Sequence, residues 1–405
     1  MPSPTPTMTR PIWAEISKTR LTQNFAALTR QSAGRATLLC VVKANAYGHG
    51  EESTARILTE AGARWLGVTS VEEGVDLRAA LPDANTPGVD VPNILVLAGI
   101  ALSAAGEAEA RALLSHRLIP VIWDTAQLNW LAQAAKENNA AAGSIPVHLE
   151  IETGMGRQGV PYNDTAAIDT ILQHFSPNSP LQLHGVMTHY ASPERFQDRI
   201  NQLQTDRFVE VLETLRTRKI APKIIHAGNG DTLFDDLQME RLHALALNHR
   251  AELMLRPGLA LFGGGADSAT RGLAPALTWK TRVISLRTIQ PGDTVGYGST
   301  FTATRPTKIA LVGVGYADGL SRSLSNRGQM LVRGNRAPIV GRISMDLATL
   351  DVTNIPAVAP GDEVVIIGHQ GNETITAADI AALMNTIPYE VLCGIANRVP
   401  RVVVD

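Results

Sequence analysis

Cysteine is scarce: the chain of 405 residues carries two, Cys40 and Cys393. No Cys/His cluster has the spacing of a zinc site, so no structural metal is expected. Cys40 lies in the apolar run 38–42, where a buried free thiol is expected rather than a disulfide. Net charge is also nearly absent, at -2. A chain so balanced has no electrostatic reason to bind nucleic acid or an anionic membrane. No apolar run approaches the roughly 20 residues needed to span a bilayer. Long-period repeats and low-complexity linkers are missing too. The opening stretch MPSPTPTMTRPIW is polar and proline-rich and has no apolar h-region. It reads as a short disordered tail over 1–12 rather than a secretory leader, so a cytoplasmic protein is expected.

What remains is an ordinary globular composition, 44% hydrophobic and 18% charged. The length exceeds what one core comfortably serves, which suggests two domains. Over the first two thirds, short apolar runs alternate with amphipathic, helix-forming stretches. The runs cover 38–43, 65–69, 94–98, 120–123, 147–152, 183–189, 223–226 and 253–256. The clearest helices between them are 51–61 and 205–218. Alternating strand and helix implies a parallel sheet, and eight repeats imply a closed (β/α)8 barrel over 13–265. The count argues against an open, doubly wound sheet. Past about 270 the texture changes. Short β-like runs at 283–286, 309–314, 329–332, 338–340, 347–351, 363–367 and 398–404 are separated by Gly and Pro turns. A mainly β domain is expected over 266–405, with one helix at 376–384. The glycine-rich segment 263–271 is the expected connection.

In such a barrel the active site lies at the C-terminal ends of the strands. The polar residues at those ends are Lys43, Glu150, Glu152, Arg157, His189, Asn229 and Arg256. Each alone has a bland reading, a solvated lysine or a structural histidine. Together, at one end of one barrel, they argue for a small anionic ligand held by arginines and backbone amides. Five apolar residues precede Lys43, so its stem emerges from a buried strand, as a nucleophilic amine requires. Asn229-Gly230 and Arg256-Pro257-Gly258-Leu259 follow the seventh and eighth strands, the common place for a phosphate cradle.

Longer segments carry a family likeness. CVVKANAYGHG, ETGMGRQG, MTHYASPE, RPGLALFGG, TVGYGSTF, GYADG, GRISMD and YEVLCGI occur in that order. Each resembles a segment of the alanine racemase family, and the likeness runs from about Trp13 to Val403. It implies a pyridoxal 5'-phosphate enzyme that interconverts L- and D-alanine. Lys43 would hold the cofactor as a Schiff base and move a proton on one face of the substrate. The partner subunit's Tyr297 would serve the other face, so the resemblance implies a homodimer with shared sites. Arg256 would face the pyridine nitrogen, and His189 would buttress Arg256 and Tyr297. Arg157 would contact the cofactor's phenolic oxygen and the substrate carboxylate, toward which Met345 would offer its backbone amide. Tyr47, Tyr389 and the amides near Asn229, Gly230, Gly258 and Leu259 would hold the phosphate.

Racemisation removes a proton from one face of Cα and returns one to the other, so two groups must straddle that carbon. Three departures from the family pattern stand out. Glu150 occupies a position where many members have a lysine, often carbamylated, and a Glu150–Arg157 ion pair is expected in its stead. Gly230 stands where many have serine, and Ser344 where many have cysteine. Three other readings compete. A racemase of broader specificity, for serine or longer side chains, stays within the family. A decarboxylase of the same two-domain class usually places a carboxylate at the pyridine nitrogen, which Arg256 contradicts. A cofactor-binding regulatory protein would resemble the barrel alone.

Overall fold

The computed structural model describes residues 10–82, 90–193, 195, 197–265 and 267–405. Residues 1–9 of the expected tail, the last residue of MTHYASPE and one position of the 263–271 connection fall outside that set. The chain divides into two units, one of Thr22–Ala46 and Glu51–Leu261, the other of Met1–Leu21, Tyr47–Gly50 and Phe262–Asp405.

Ile12, the last residue of the expected tail 1–12, lies in a strand, and that strand belongs to the second unit rather than to the barrel. Ile12–Ser17 is a strand, β1, in the second unit. It pairs antiparallel with Leu277–Ile289 and parallel with Arg401–Val404. The alternation Ile12, Ala14, Ile16, each 0% exposed, is the apolar face that demands this cover. Six residues of such alternation, directly behind a proline-rich start, make a faint signal.

The first unit is the barrel. Its strands are β2 (Thr37–Val41), β3 (Trp65–Val68), β4 (Asn93–Val96), β5 (Leu118–Ile122), β6 (Ile145–Glu152), the short β7 (Val160–Pro161), β8 (Leu181–Met187), β9 (Ile224–Asn229) and β10 (Glu252–Arg256). The parallel order β5-β4-β3-β2-β10-β9-β8-β6 closes through β5–β6, and β7 is an appendage of β6. This is the closed eight-stranded barrel that the run count implied. Strands covered on both faces need apolar side chains on both, and every residue of β5 is buried. Leu39, Trp65, Leu95, Ile119, Val121, Met187, Ile224 and Met254 pack into one cluster contributed by the strands. Two of the helices start with reciprocal caps, Ser70 with Glu73 and Asp124 with Gln127.

The second unit is mainly β. Its larger sheet runs Asn335–Pro338, Gln329–Val332, Glu363–Gln370, Leu277–Ile289, β1, Arg401–Val404. The expected helix is Ala377–Met384, capped by Thr376 and Asp379. A second helix, Pro388–Cys393, begins with proline and is too short to show a period. Both cysteines are free. Among the described residues no helix is long and apolar enough to cross a membrane.

One buried charge joins three separate stretches of the second unit. Asp318 is 0% exposed and accepts from Arg10 at 2.8 and 3.1 Å, from Arg398 at 2.8 Å and from the Gly315 N–H at 2.9 Å. Burial pushes its carboxyl up, but these hydrogen bonds outweigh burial and hold it below the ordinary 3.8. A carboxyl whose folded pKa lies below its unfolded one stabilises the fold above the unfolded value and loses that contribution as pH falls through the folded value. Asp318→Asn is expected to lower stability at neutral pH by about 2 kcal/mol. Removing one member of a fully buried pair costs more, and the half-exposed arginines reduce the loss. Urea unfolding checks it: the gap between wild type and variant should shrink as pH drops below about 4. A gap that does not change with pH would contradict this account.

Candidate active site

Val42, directly after β2, is the last buried residue before Lys43. The Val41 N–H donates to Pro257 O at 2.9 Å and the Val42 N–H to Gly67 O at 2.8 Å, so both neighbouring strands grip the backbone that delivers Lys43. The chain then does something costly. Ala44, Asn45, Ala46 and Tyr47 all have φ between 52 and 54°. A left-handed turn of non-glycine residues costs about 1–2 kcal/mol per residue. Strain of this kind persists only where surroundings impose it. Here the Ala44 N–H donates to Glu73 Oε1 at 2.8 Å, the Ala46 N–H to Val42 O at 2.8 Å and the Glu51 N–H to Asn45 Oδ1 at 2.9 Å. Glu73 Oε2 meanwhile accepts from the Thr69 N–H at 2.6 Å. One carboxylate thus ties the turn after Lys43 to the start of the helix that follows β3.

Arg256 is the last residue of β10 and only 5% exposed. Its Nη2 donates to Thr188 O at 2.8 Å and to His189 Nδ1 at 3.0 Å, and Nη1 donates to His226 Nδ1 at 3.5 Å. An arginine can only donate, so both imidazoles must offer a bare nitrogen. Burial, then Arg256, Arg157 and Lys43, lowers His189 to about 3, which keeps it neutral. Burial lowers Arg256 to about 10, against the opposing pull of Glu150, so it stays charged at neutral pH.

Glu150 is 2% exposed. The expected Glu150–Arg157 pair is absent among the described residues. Glu150 accepts instead from Gln158 Nε2, which also donates to Leu97 O at 2.9 Å. The turn after β6 is folded by Glu152, which takes the N–H groups of Gly154, Gly156 and Arg157 and leaves the Arg157 side chain exposed. Burial raises the Glu150 carboxyl, and Gln158, Arg256 and Arg157 pull it back.

The loops after β9 and β10 hold unspent donors. The Asn229 side chain builds its own loop, accepting from the Asp231 N–H at 2.9 Å and donating to Asp231 Oδ2 at 3.2 Å. The N–H groups of Gly230, Gly258 and Leu259 find no acceptor among the described residues. Backbone donors left over beside a cationic side chain suit an anion such as phosphate. Glycine at 230 has a local cause, because a Cβ there would lie 2.9 Å from Ala260 Cβ.

The remaining predicted residues lie in the second unit. The Tyr47 and Tyr389 rings meet at 5.7 Å. Burial, then Tyr389 and Cys393, pushes the Tyr47 hydroxyl up, so it remains a donor. Tyr297 is 71% exposed and Met345 53%. The Met345 carbonyl accepts from Ala317 at 3.0 Å, while its own N–H has no acceptor among the described residues.

The sequence reading did not single out Glu73, Gln158 or His226. Glu73 carries the ordinary signature of a helix cap, and Gln158 sits in a glycine-rich turn. His226 did leave a signal, a polar residue inside an apolar strand.

Two family models match: the alanine racemase N-terminal domain over residues 16–266 and the C-terminal domain over 276–403. An alanine racemase of Halothermothrix orenii is 39% identical over 398 residues, covering 97% of each chain. The crystal structure of alanine racemase from D-cycloserine-producing Streptomyces lavendulae superposes with a TM-score of 0.85 at 30% identity, over 98% of both chains. That of alanine racemase from Bartonella henselae, with covalently bound pyridoxal phosphate, gives 0.77 at 26% identity, over 97% of this chain and 99% of the other.

Proposed function

The chain belongs to the alanine racemase family, and from that premise we propose that it interconverts L- and D-alanine as a pyridoxal-phosphate-dependent homodimer. The observation that carries the reading lies at one end of the barrel. Arg256, with its buried guanidinium, ends β10, and Lys43 and the unspent N–H groups of Gly230, Gly258 and Leu259 follow C-terminal strand ends. This donor set fits a phosphorylated ring: amides for the phosphate and a fixed cation for the ring nitrogen. Tyr47 and Tyr389 are the proposed hydroxyl donors to the same phosphate.

When bound, pyridoxal phosphate supplies the electron sink that makes the substrate Cα proton labile. Lys43 would hold the cofactor and exchange a proton with Cα on one face. The partner subunit's Tyr297 exchanges one on the other. Arg256 would face the pyridine nitrogen of the cofactor; because it cannot surrender its proton, it would leave that nitrogen unprotonated and the sink weak. His189 holds Arg256 through its bare Nδ1. Arg157 and the Met345 N–H receive the substrate carboxylate.

A panel of L-amino acids tests the reading. The cofactor-loaded protein is expected to racemise alanine fastest and serine more slowly, with D-isomer formation followed by chiral chromatography. Faster serine turnover would move the assignment to a broader racemase. Carbon dioxide release from a basic amino acid, without racemisation, would overturn it.

A further inference from the structure

A column of three imidazoles runs through the barrel core beneath Arg256. His226 Nε2 lies 2.9 Å from His148 Nδ1, and His148 Nε2 lies 3.1 Å from His184 Nδ1. His148 and His226 are 0% exposed, and His184 is half-buried. The residues flanking each in sequence carry no polar side chain: Val147 and Leu149, Leu183 and Gly185, Ile225 and Ala227. The column has been given room. Gly185 sits mid-strand in β8, where a Cβ would come within 2.5 Å of the His148 ring. A glycine inside a strand marks such a close approach. The Trp65 ring flanks His148 and His184, with centroids at 5.8 and 6.0 Å. The nitrogens point at one another, and among the described residues no group of three or more His, Cys, Asp or Glu is placed to hold a metal ion.

The direction of these bonds follows from Arg256. Its guanidinium only donates, so His226 Nδ1 must be bare, and a neutral His226 carries its proton on Nε2. That N–H donates to His148 Nδ1, which must also be bare. His148 then donates from Nε2 to His184 Nδ1. Every member is a neutral Nε2–H tautomer, and each bond points away from the barrel mouth. Burial agrees: it lowers His148 to about 3, and His226 and His184 also fall below the ordinary value. Around His184 the charged groups are Lys223, which lowers it further, and Glu252, which opposes this. A proton placed on Nδ1 of any member would set N–H against N–H. The conflict would pass up the column and take the acceptor from Arg256.

We propose that His148 and His184 are positioning residues, a one-way imidazole column that locks His226 in the tautomer that accepts from Arg256. The proposal rests on the reading of Arg256 as the group that meets the cofactor ring nitrogen. Its reach is notable because His184 lies several strand positions below the C-terminal ends that carry Lys43 and Arg256.

Two arms test it. The first uses the cofactor-loaded protein with 15N-labelled histidine. At about pH 8, nitrogen shifts and one-bond N–H couplings should report protonated Nε2 and bare Nδ1 at His226, His148 and His184. A proton on Nδ1 of His226 or His148 overturns the column, whether or not the protein racemises alanine. The second arm compares His184→Leu with His184→Gln. Leucine removes the terminal acceptor; glutamine restores one through its side-chain carbonyl. His184→Leu is expected to lower kcat for alanine about 5–10-fold, the rate equivalent of one net hydrogen bond, with KM little changed. His184→Gln should recover to within about 2-fold. Equal kcat in both variants and wild type overturns the proposal. So does an equal loss in both, which marks a packing role only. If His184→Leu does not fold, the tautomer spectra of the wild type decide. An inactive wild type with the expected tautomers would sink the racemase reading and leave the column standing.

Discussion

Replacing Lys43 with alanine is expected to lower alanine racemisation by at least about 10³-fold, because both the cofactor anchor and one of two proton-exchanging groups disappear. The position of this lysine supports an effect of that size. The barrel unit contains Lys43, Lys136, Lys219 and Lys223. Lys136 lies in a helix, Lys219 follows one, and Lys223 precedes β9 at the opposite end of the barrel. Lys43 alone follows the C-terminal end of a strand. The left-handed turn behind it shows that the fold spends several kcal/mol on its direction. Borohydride treatment of the wild-type holoprotein should fix the cofactor to a peptide containing Lys43, read by mass spectrometry. Labelling of Lys223, or of no lysine, would remove the mechanism proposed here.

Tyr297→Phe should cost at least about 10²-fold by itself, the usual contribution of one acid–base group. The larger effect comes from mixing. Tyr297 is a bulky aromatic with most of its surface exposed, yet its turn leaves little room for change. Gly296 and Gly298 have φ of 74 and 71°, and a Cβ on either would meet Arg342 at 3.0 Å. A sterically constrained turn that displays a tyrosine suits contact with another chain. When two inactive variants, Lys43→Ala and Tyr297→Phe, exchange subunits, about half of the dimers are mixed. Each mixed dimer has one site with both residues intact and one with neither. Activity should therefore return to about a quarter of wild type. If native mass spectrometry shows mixed dimers and no activity returns, the two groups do not serve one site across chains.

The barrel was legible because its strands are buried on both faces. Leu118 through Ile122 in β5, an unbroken apolar run, reads as a strand buried on both faces, and Val147, Leu149 and Ile151 in β6 mark one buried face. The helix at Ala377–Met384 was legible because Thr376 and Asp379 form a capping box. β1 was not, because its apolar face is covered by strands more than 250 residues away in sequence. Glu150 shows the same limit. Alternation along β6 correctly buries it, but a buried carboxylate takes whichever donor the fold delivers, and Gln158 arrived instead of Arg157.

By itself, then, the sequence determined periodicity, strand count and the residue types at the strand ends, because these follow from local chemistry and from which faces must avoid water. Lys43, His189, Asn229 and Arg256 could be set at one end of a barrel on that basis alone. Only the tertiary structure decided who holds whom. Hydrogen bonds join atoms distant in sequence and depend on distance and direction, which no spacing encodes. Glu73 behind the Lys43 turn and the imidazoles beneath Arg256 became visible only when the strands had closed and brought those atoms within about 3 Å of one another.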